Sequence, residues 1–113
     1  MLNIDLSNRI VVVTGASGDL GRVMVRTLAK CGADVAVHYL QNQAKADELV
    51  AEITEMGVRG VAVQADITQL DSVMAMRDQI REALGDPNII VNNAVIQYNW
   101  VSILEQDEAD YEG

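Results

Sequence analysis

Three things that the sequence has little of set the first limits on this protein. It has one cysteine, Cys31, among 113 residues, so it forms neither an internal disulfide nor a metal site built from several cysteines. We expect Cys31 to be a small buried residue on the first helix. No apolar run approaches the roughly 20 residues of a membrane-spanning helix, and the N-terminus, MLNIDLSNR, has no basic region before an apolar core. We therefore expect a cytoplasmic protein with no membrane partner.

Basic residues are the third scarce type. Eight Lys and Arg stand against 17 Asp and Glu, which gives a formal net charge of -9. The few cations are scattered along the chain, whereas sequence-independent binding of a nucleic acid needs clustered positive charge. We therefore predict no nucleic-acid partner. A small phosphorylated ligand is still compatible, because backbone N–H groups at a helix N-terminus bind phosphate without a positive side chain.

Strand and helix patterns alternate along the chain, which at this length has room for one domain. Short runs rich in β-branched residues predict strands over residues 9–14, 33–39, 60–66 and 87–94. Three stripes with helical spacing lie between them, formed by Leu20, Val23, Met24, Leu28 and Cys31, by Ala46, Leu49, Val50, Ile53 and Met56, and by Val73, Met76, Ile80 and Leu84. Connections this short favour a parallel sheet, so we predict the N-terminal half of a Rossmann-like, doubly wound α/β fold, with helices on both faces.

Local signals mark the ends of the three predicted helices. Gly32, Gly57 and Gly85 follow them as stop residues. Thr68 and Asp71 have the spacing of a capping box, which predicts the start of the third helix. The tail after residue 94 contains apolar residues before an acidic run, and we expect it to begin a fourth helix.

The stretch VVTGASGDLGR, residues 12–22, places Gly15, Gly18 and Gly21 three apart between a predicted strand and a predicted helix. Glycines at this point allow a tight turn, a close approach of the backbone to a pyrophosphate and close packing of the helix on the sheet. A bare glycine triplet also occurs in ordinary capped turns, but the strand–turn–helix context is the one that dinucleotide binding requires. Asp19 either repels a phosphate or is a solvent-facing carboxylate that the helix dipole favours; we favour the second, with Arg22 nearby to offset its charge.

Three motifs in chain order, TGASGDLGR, Ala65-Asp66 and VNNA at residues 91–94, resemble the N-terminal half of a short-chain dehydrogenase/reductase. The glycine spacing is similar to that of the epimerase-like branch, and Val95 replaces the glycine that usually follows the asparagine motif. NNA and the second helix resemble the compact branch, with its 3-oxoacyl-carrier-protein reductases and sugar dehydrogenases.

The resemblance implies a dinucleotide-binding domain over residues 1–113 and a role for each motif. Thr14, Gly15 and Gly21 shape the dinucleotide loop, Asp66 and Ile67 lie beside the adenine, and the asparagine motif lines the cofactor near its ribose and braces the sheet. The cofactor-binding residues predicted in this way are Thr14, Gly15, Ser17, Gly18, Asp19, Leu20, Gly21, His38, Tyr39, Asp66, Ile67, Asn92, Asn93 and Ala94.

The end of the second predicted strand bears on the choice of cofactor. A carboxylate there holds the ribose 2'-hydroxyl of NAD, whereas NADP carries a 2'-phosphate at the same place. No acidic residue occurs between Asp34 and Asp47, so we favour NADP over NAD. We interpret His38 as a packing or ribose-edge residue instead of a catalytic base, and no second His or Cys supports a metal role.

Catalytic residues are not predicted in this chain. The resemblance implies a tyrosine with a lysine four residues later and a nearby serine, but the two lysines, Lys30 and Lys45, follow Arg26 and Gln41 at that spacing. One hypothesis is an NAD(P)(H)-dependent oxidoreductase, which reduces a carbonyl or oxidises an alcohol and whose cofactor-binding half is this chain, inactive by itself. The alternative is a non-catalytic nucleotide-binding or interaction module. Because the fourth strand would have an open edge, we also expect a homo-oligomer.

Overall fold

The β-branched runs form the strands of one parallel sheet. A computed structural model of the chain describes residues 4–93. Its elements are β1 (Ile10–Val13), α1 (Asp19–Lys30), β2 (Asp34–Tyr39), α2 (Gln43–Glu55), β3 (Gly60–Gln64), α3 (Leu70–Ala83) and β4 (Ile89–Val91). All strand pairs are parallel, in the order β3-β2-β1-β4. The predicted Rossmann-like parallel sheet is confirmed.

Helices cover both faces of the sheet. Consecutive side chains of a strand point to opposite faces, so the valines of β1 and β2 divide between two apolar clusters. Val11, Val13, Val35 and Val37 belong to the cluster that includes Val25 of α1 and Leu49 and Ile53 of α2. Val12 and Ala36 belong to the cluster that includes Met76 and Ile80 of α3. Helices α1 and α2 therefore pack on one face and α3 on the other.

The predicted apolar stripe of α1 is wrong. Leu20 and Val23 are exposed, and the helix buries Gly21, Val25 and Ala29, which are spaced four apart. These smaller residues face the sheet because α1 approaches the turn after β1 closely at Gly21. Leu20 and Val23 therefore point away from the sheet, whereas Leu28 still packs against the edge of the core.

Cys31 and the start of α3 also differ from the predictions. Cys31 is half-buried at the C-cap of α1, where the chain leaves the helix, and is not a buried helical residue. The capping box does not form, since Gln69 is the N-cap of α3 and makes no side-chain cap bond. The backbone N–H and the hydroxyl of Thr68 both donate to Asp66 Oδ1 instead. A short aspartate side chain that accepts bonds from the residue two positions on competes with helix formation at this point.

Within the described residues, the strands are shorter than predicted by up to two residues at an end, and the residues after β1, β3 and β4 form loops at one edge of the sheet. Ala94 and the tail that was predicted to begin a fourth helix lie outside the described residues. Within residues 4–93, none of the helices has the length and apolar character needed to cross a bilayer.

Candidate cofactor site

A cleft of about 670 Å³ opens where the carboxyl ends of the four strands meet. Gly15 follows β1, Leu40 follows β2, Ala65 follows β3 and Asn93 follows β4, and all four residues line it. The full lining comprises Gly15, Ser17, Gly18, Asp19, Leu20, His38, Leu40, Gln41, Asn42, Ala65, Asp66, Ile67, Thr68 and Asn93. In an open parallel α/β sheet, ligands bind at this edge.

The three glycines of the turn after β1 have three different structural roles. Gly15 has φ 64°, in the left-handed region that favours glycine. A Cβ on Gly21 would lie 2.5 Å from the carbonyl oxygen of Gly15 and 2.6 Å from Ala16 Cα, so only glycine lets α1 pack this closely on the turn. Gly18 is the N-cap of α1, and a Cβ there would meet the Gly15 carbonyl oxygen at an ordinary 3.5 Å.

The N-terminus of α1 supplies hydrogen-bond donors to the cleft region. Gly18, the N-cap, has no side chain to accept the first N–H groups of the helix. The N–H groups of Asp19, Leu20 and Gly21 belong to the first turn, which has no intrahelical acceptors. Such N–H groups, together with the positive end of the helix dipole, favour an anion.

Asp19 does not cancel that preference. Its side chain is 97% exposed, and its Oδ1 lies 2.6 Å from an Arg22 guanidinium nitrogen one turn further along α1. The carboxylate therefore points into solvent and is partly neutralised by Arg22. This geometry agrees with the solvent-facing interpretation of Asp19.

The ends of β1 and β4 are joined beside the cleft. Thr14 accepts a hydrogen bond from the Asn93 backbone N–H at 2.9 Å, and its hydroxyl lies 3.3 Å from the Val91 carbonyl oxygen and 3.2 Å from Asn92 Oδ1. The side-chain amide of Asn93 donates to the Gly15 carbonyl oxygen at 3.4 Å. The asparagine motif thus connects the glycine turn to the fourth strand.

Asp66 is held in the loop after β3. Its Oδ1 accepts a 2.6 Å bond from the Thr68 hydroxyl and a 3.0 Å bond from the Thr68 N–H, and its own N–H donates to Ser72 Oγ at 2.8 Å. The bond from the Thr68 hydroxyl, and then that from the Thr68 N–H, lower the pKa of the Asp66 carboxyl. Asp66 therefore presents a fixed, ionised carboxylate to the cleft.

Replacing Thr68 with valine is expected to raise the pKa of Asp66 toward its ordinary value, because the stronger of its two donors is lost. A carboxyl whose pKa is lowered by folding stabilises the folded state above the unfolded pKa of about 3.9, and this stabilisation is lost as the pH falls below it. The variant should therefore be less stable than the wild type near neutral pH, and the difference should shrink in acid. An NMR titration of the Asp66 carboxyl carbon and urea unfolding at two pH values measure both effects.

Thr54→Val is the control for this prediction. The Thr54 hydroxyl donates to the Val50 carbonyl oxygen on the exposed side of α2 and touches no carboxylate. The Thr54→Val substitution should leave the pKa of Asp66 unchanged. An identical Asp66 pKa in the wild type and in Thr68→Val would contradict the assignment of the shift to this hydroxyl.

Not every residue that was predicted to bind the cofactor lines the cleft. Tyr39 is buried in the apolar core, and Thr14, Gly21 and Asn92 also lie outside the lining. Five residues that do line the cleft were missing from the predicted set: Leu40, Gln41, Asn42, Ala65 and Thr68. All five lie within four residues after the end of β2 or β3, and that position in the chain was the available signal. Among the described residues, no three His, Cys, Asp or Glu side chains come together in a group suited to a metal ion.

Comparison with known proteins agrees with the fold and the motifs. The short chain dehydrogenase family profile matches residues 9–112. The 3-oxoacyl-acyl-carrier-protein reductase of Staphylococcus epidermidis is 35% identical over 104 residues, which cover 91% of this chain and 43% of the reductase. An Escherichia coli hydroxysteroid dehydrogenase structure superposes with a TM-score of 0.76 at 33% identity, covering 82% of this chain and 39% of that one.

A structure with a bound ligand is also similar. A Burkholderia cenocepacia dehydrogenase solved with bound NADP has a TM-score of 0.74 at 30% identity, over 81% of this chain and 36% of that one. This chain spans about two fifths of the length of the curated relatives that it matches. With a family match over nearly all of its residues and the parallel sheet that the family shares, the chain belongs to the short-chain dehydrogenase family.

Proposed function

We propose that the cleft binds a nicotinamide dinucleotide, with NADP(H) preferred, and that this chain is the cofactor-binding half of an oxidoreductase. The observation that carries the proposal is the meeting of the glycine turn, the α1 N-terminus and the loops after β2, β3 and β4 around one cleft. Membership of the family and the NADP held by the Burkholderia relative support it.

The residues around the cleft fit the parts of such a cofactor. The N–H groups at the start of α1 suit the pyrophosphate, because they provide donors without a positive side chain. Ile67 and Asp66, at the end of β3, offer an apolar surface and a fixed acceptor for the adenosine end. Asn93, at the end of β4, offers an amide on the other side of the glycine turn.

The residues after β2 support the preference for NADP(H). Leu40, Gln41 and Asn42 line the cleft there, and none of them carries the negative charge that would repel a 2'-phosphate. The amides of Gln41 and Asn42 are neutral groups able to donate hydrogen bonds to it. We therefore place the adenosine ribose beside these three residues.

The reaction proposed for the complete protein is hydride transfer between the nicotinamide and a small carbonyl or alcohol substrate. When bound, the cofactor would supply the hydride to a carbonyl or accept it from an alcohol, and this chain's residues bind and orient the cofactor. No lysine of the chain follows a tyrosine at the four-residue spacing, so we propose that the 113-residue chain alone reduces no carbonyl. We also propose a cytoplasmic homo-oligomer, and the edge of β4 that no strand of residues 4–93 covers supports the association.

Calorimetric titration of the full chain with NADPH, NADH and AMP tests the proposal. We expect one saturable site, with NADPH bound more tightly than NADH and AMP most weakly of the three. Absence of binding by both dinucleotides would refute the proposed function. Equal affinity for AMP and NADPH would favour the non-catalytic nucleotide-binding alternative, because the nicotinamide half would then contribute nothing.

Leu40→Asp tests where the 2'-phosphate lies. Leu40 is half exposed at the cleft, and a carboxylate there should weaken NADPH binding by about tenfold or more while changing the affinity for NADH little. The same titrations measure both constants. Met56→Asp, which adds the same charge at the C-cap of α2 away from the cleft, is the control and should leave both affinities unchanged. A uniform loss of both dinucleotides in Leu40→Asp would count against this placement of the ribose.

A further inference from the structure

His38 is a buried histidine with a hydrogen-bond partner at each ring nitrogen. It is 3% exposed, near the end of β2. The backbone N–H of Gly15 donates to His38 Nδ1 at 2.8 Å, and Nε2 lies 2.8 Å from the Ala65 carbonyl oxygen. The side chain therefore links the glycine turn after β1 to the loop after β3.

The two partners determine the protonation state of the ring. A backbone N–H only donates, so Nδ1 must be the unprotonated nitrogen that accepts from Gly15. A carbonyl oxygen only accepts, so Nε2 must carry the proton that it donates to Ala65. Both ring nitrogens of His38 are thus bonded to backbone groups, and neither is left to bind a ligand.

The bonds to His38 hold the glycine turn on its N-terminal side. The backbone carbonyl oxygen of His38 accepts the Ala16 N–H at 2.9 Å, so one residue of β2 binds two consecutive N–H groups of the turn. The Gly15 carbonyl oxygen is held separately, by the N–H of Gly18 at 3.2 Å and by the Asn93 amide. Both peptide groups that flank the left-handed Gly15 are therefore oriented by contacts from other strands and from the helix.

We infer that His38 is a positioning residue for the cofactor, acting through the hydrogen bond that its Nδ1 accepts from Gly15. Because the His38 ring accepts the hydrogen bond of the Gly15 N–H, that N–H points at the ring and away from the ligand. The bond also keeps the turn in the conformation that directs the N-terminus of α1 at the cleft. A buried N–H without an acceptor costs free energy, so loss of Nδ1 should let the turn change its conformation. The inference rests on the proposed function only in naming the ligand whose affinity changes.

Two substitutions separate the two ends of the imidazole. In asparagine, Oδ1 is attached to Cγ as Nδ1 is in histidine, so His38→Asn retains an acceptor for Gly15 and loses the bond to Ala65. In glutamine, the amide reaches the position of Nε2, so His38→Gln retains the donor to Ala65 and loses the Gly15 acceptor. If Nδ1 is the functional nitrogen, NADPH affinity should stay within about threefold of the wild type in His38→Asn and fall about tenfold or more in His38→Gln.

A stability control and a spectroscopic readout complete the experiment. Leu49→Ala removes a buried side chain of α2 from the core on the other face of the sheet, and it should lower the melting temperature without weakening NADPH binding. In the absence of cofactor, the Gly15 amide proton should keep its hydrogen-bonded NMR shift in His38→Asn and lose it in His38→Gln. Both variants lack the imidazole ring, so ring-current effects are matched between them.

Several results would overturn the inference. They are an unchanged NADPH affinity in His38→Gln, an equal loss in His38→Asn, a similar loss in Leu49→Ala, or the same Gly15 amide shift in both His38 variants. Failure of the wild-type chain to bind NADPH would instead refute the proposed function. The Gly15 amide shift would still decide the His38 contact in that case.

Discussion

Replacing Gly21 with alanine is expected to lower the free energy of unfolding by about 3 kcal/mol or more, a large share of the roughly 5–15 kcal/mol that stabilises a typical domain. The added methyl group would lie 2.5 Å from the Gly15 carbonyl oxygen and 2.6 Å from Ala16 Cα. These are backbone atoms, which cannot rotate away as the end of a flexible side chain can. The helix would have to move off the turn, and the buried contacts of Val25 and Ala29 would open with it.

Chemical denaturation of the Gly21→Ala variant measures this effect, and Gly18→Ala is its matched control. Gly18 has φ -77° and ψ 172°, a conformation open to alanine, and its Cβ would make only an ordinary contact. The control should change the free energy of unfolding by no more than about 1 kcal/mol, the usual scale of an N-cap substitution. Equal losses in the two variants would mean that the close approach of α1 to the turn does not limit which residue occupies position 21.

Replacing Gly15 with aspartate is expected to abolish NADPH binding in a titration that detects affinities about 100-fold weaker than the wild type. Gly15 lines the cleft, where we propose that the pyrophosphate lies. Two unit charges about 4 Å apart near a protein surface repel by about 4 kcal/mol. Asp19 is already nearby, but it points into solvent beside Arg22, whereas position 15 lies in the lining of the cleft itself.

Gly15→Asn separates charge from backbone conformation in this test. Asparagine has nearly the shape of aspartate and tolerates the left-handed conformation that Gly15 adopts at φ 64°. We expect it to weaken NADPH binding by less than about tenfold, since it brings no charge. The difference in NADPH affinity between the Asp and Asn variants should become smaller at high salt, because salt screens the repulsion between the carboxylate and the phosphates. Equal affinities of the Asp and Asn variants for NADPH would place the phosphates away from Gly15.

The alternation of strands and helices was predictable from the sequence because it depends on local patterns. The β-branched runs became β1 to β4, and each helix ends just before the glycine that was expected to stop it, Gly32, Gly57 or Gly85. Short connections between such elements allow few topologies, and the predicted parallel sheet is the one observed, with the strand order β3-β2-β1-β4. The glycine turn, likewise, was recognisable from its spacing and its context.

The face of α1 that meets the sheet was not predictable from hydrophobicity alone. The face of α1 that carries Leu20 and Val23 is the more apolar one, yet the helix buries the face that carries Gly21, Val25 and Ala29. How closely a helix approaches a sheet depends on both partners, and here the turn after β1 leaves no room for a Cβ at position 21. The absence of the capping box at Thr68 has a similar cause, since the Asp66 carboxylate was the nearer acceptor.

The sequence by itself determined the fold class, the family and the set of loops that surround the cleft, because each of these follows from short motifs and from the order of elements along the chain. Only the tertiary structure decided which side chains reach the cleft and which support it from behind. Tyr39 and His38 are adjacent in β2, but one packs in the core while the other joins Gly15, 23 residues earlier, to Ala65, 27 residues later. Contacts of this kind depend on how parallel strands align in the sheet, and no local pattern in the sequence records that alignment.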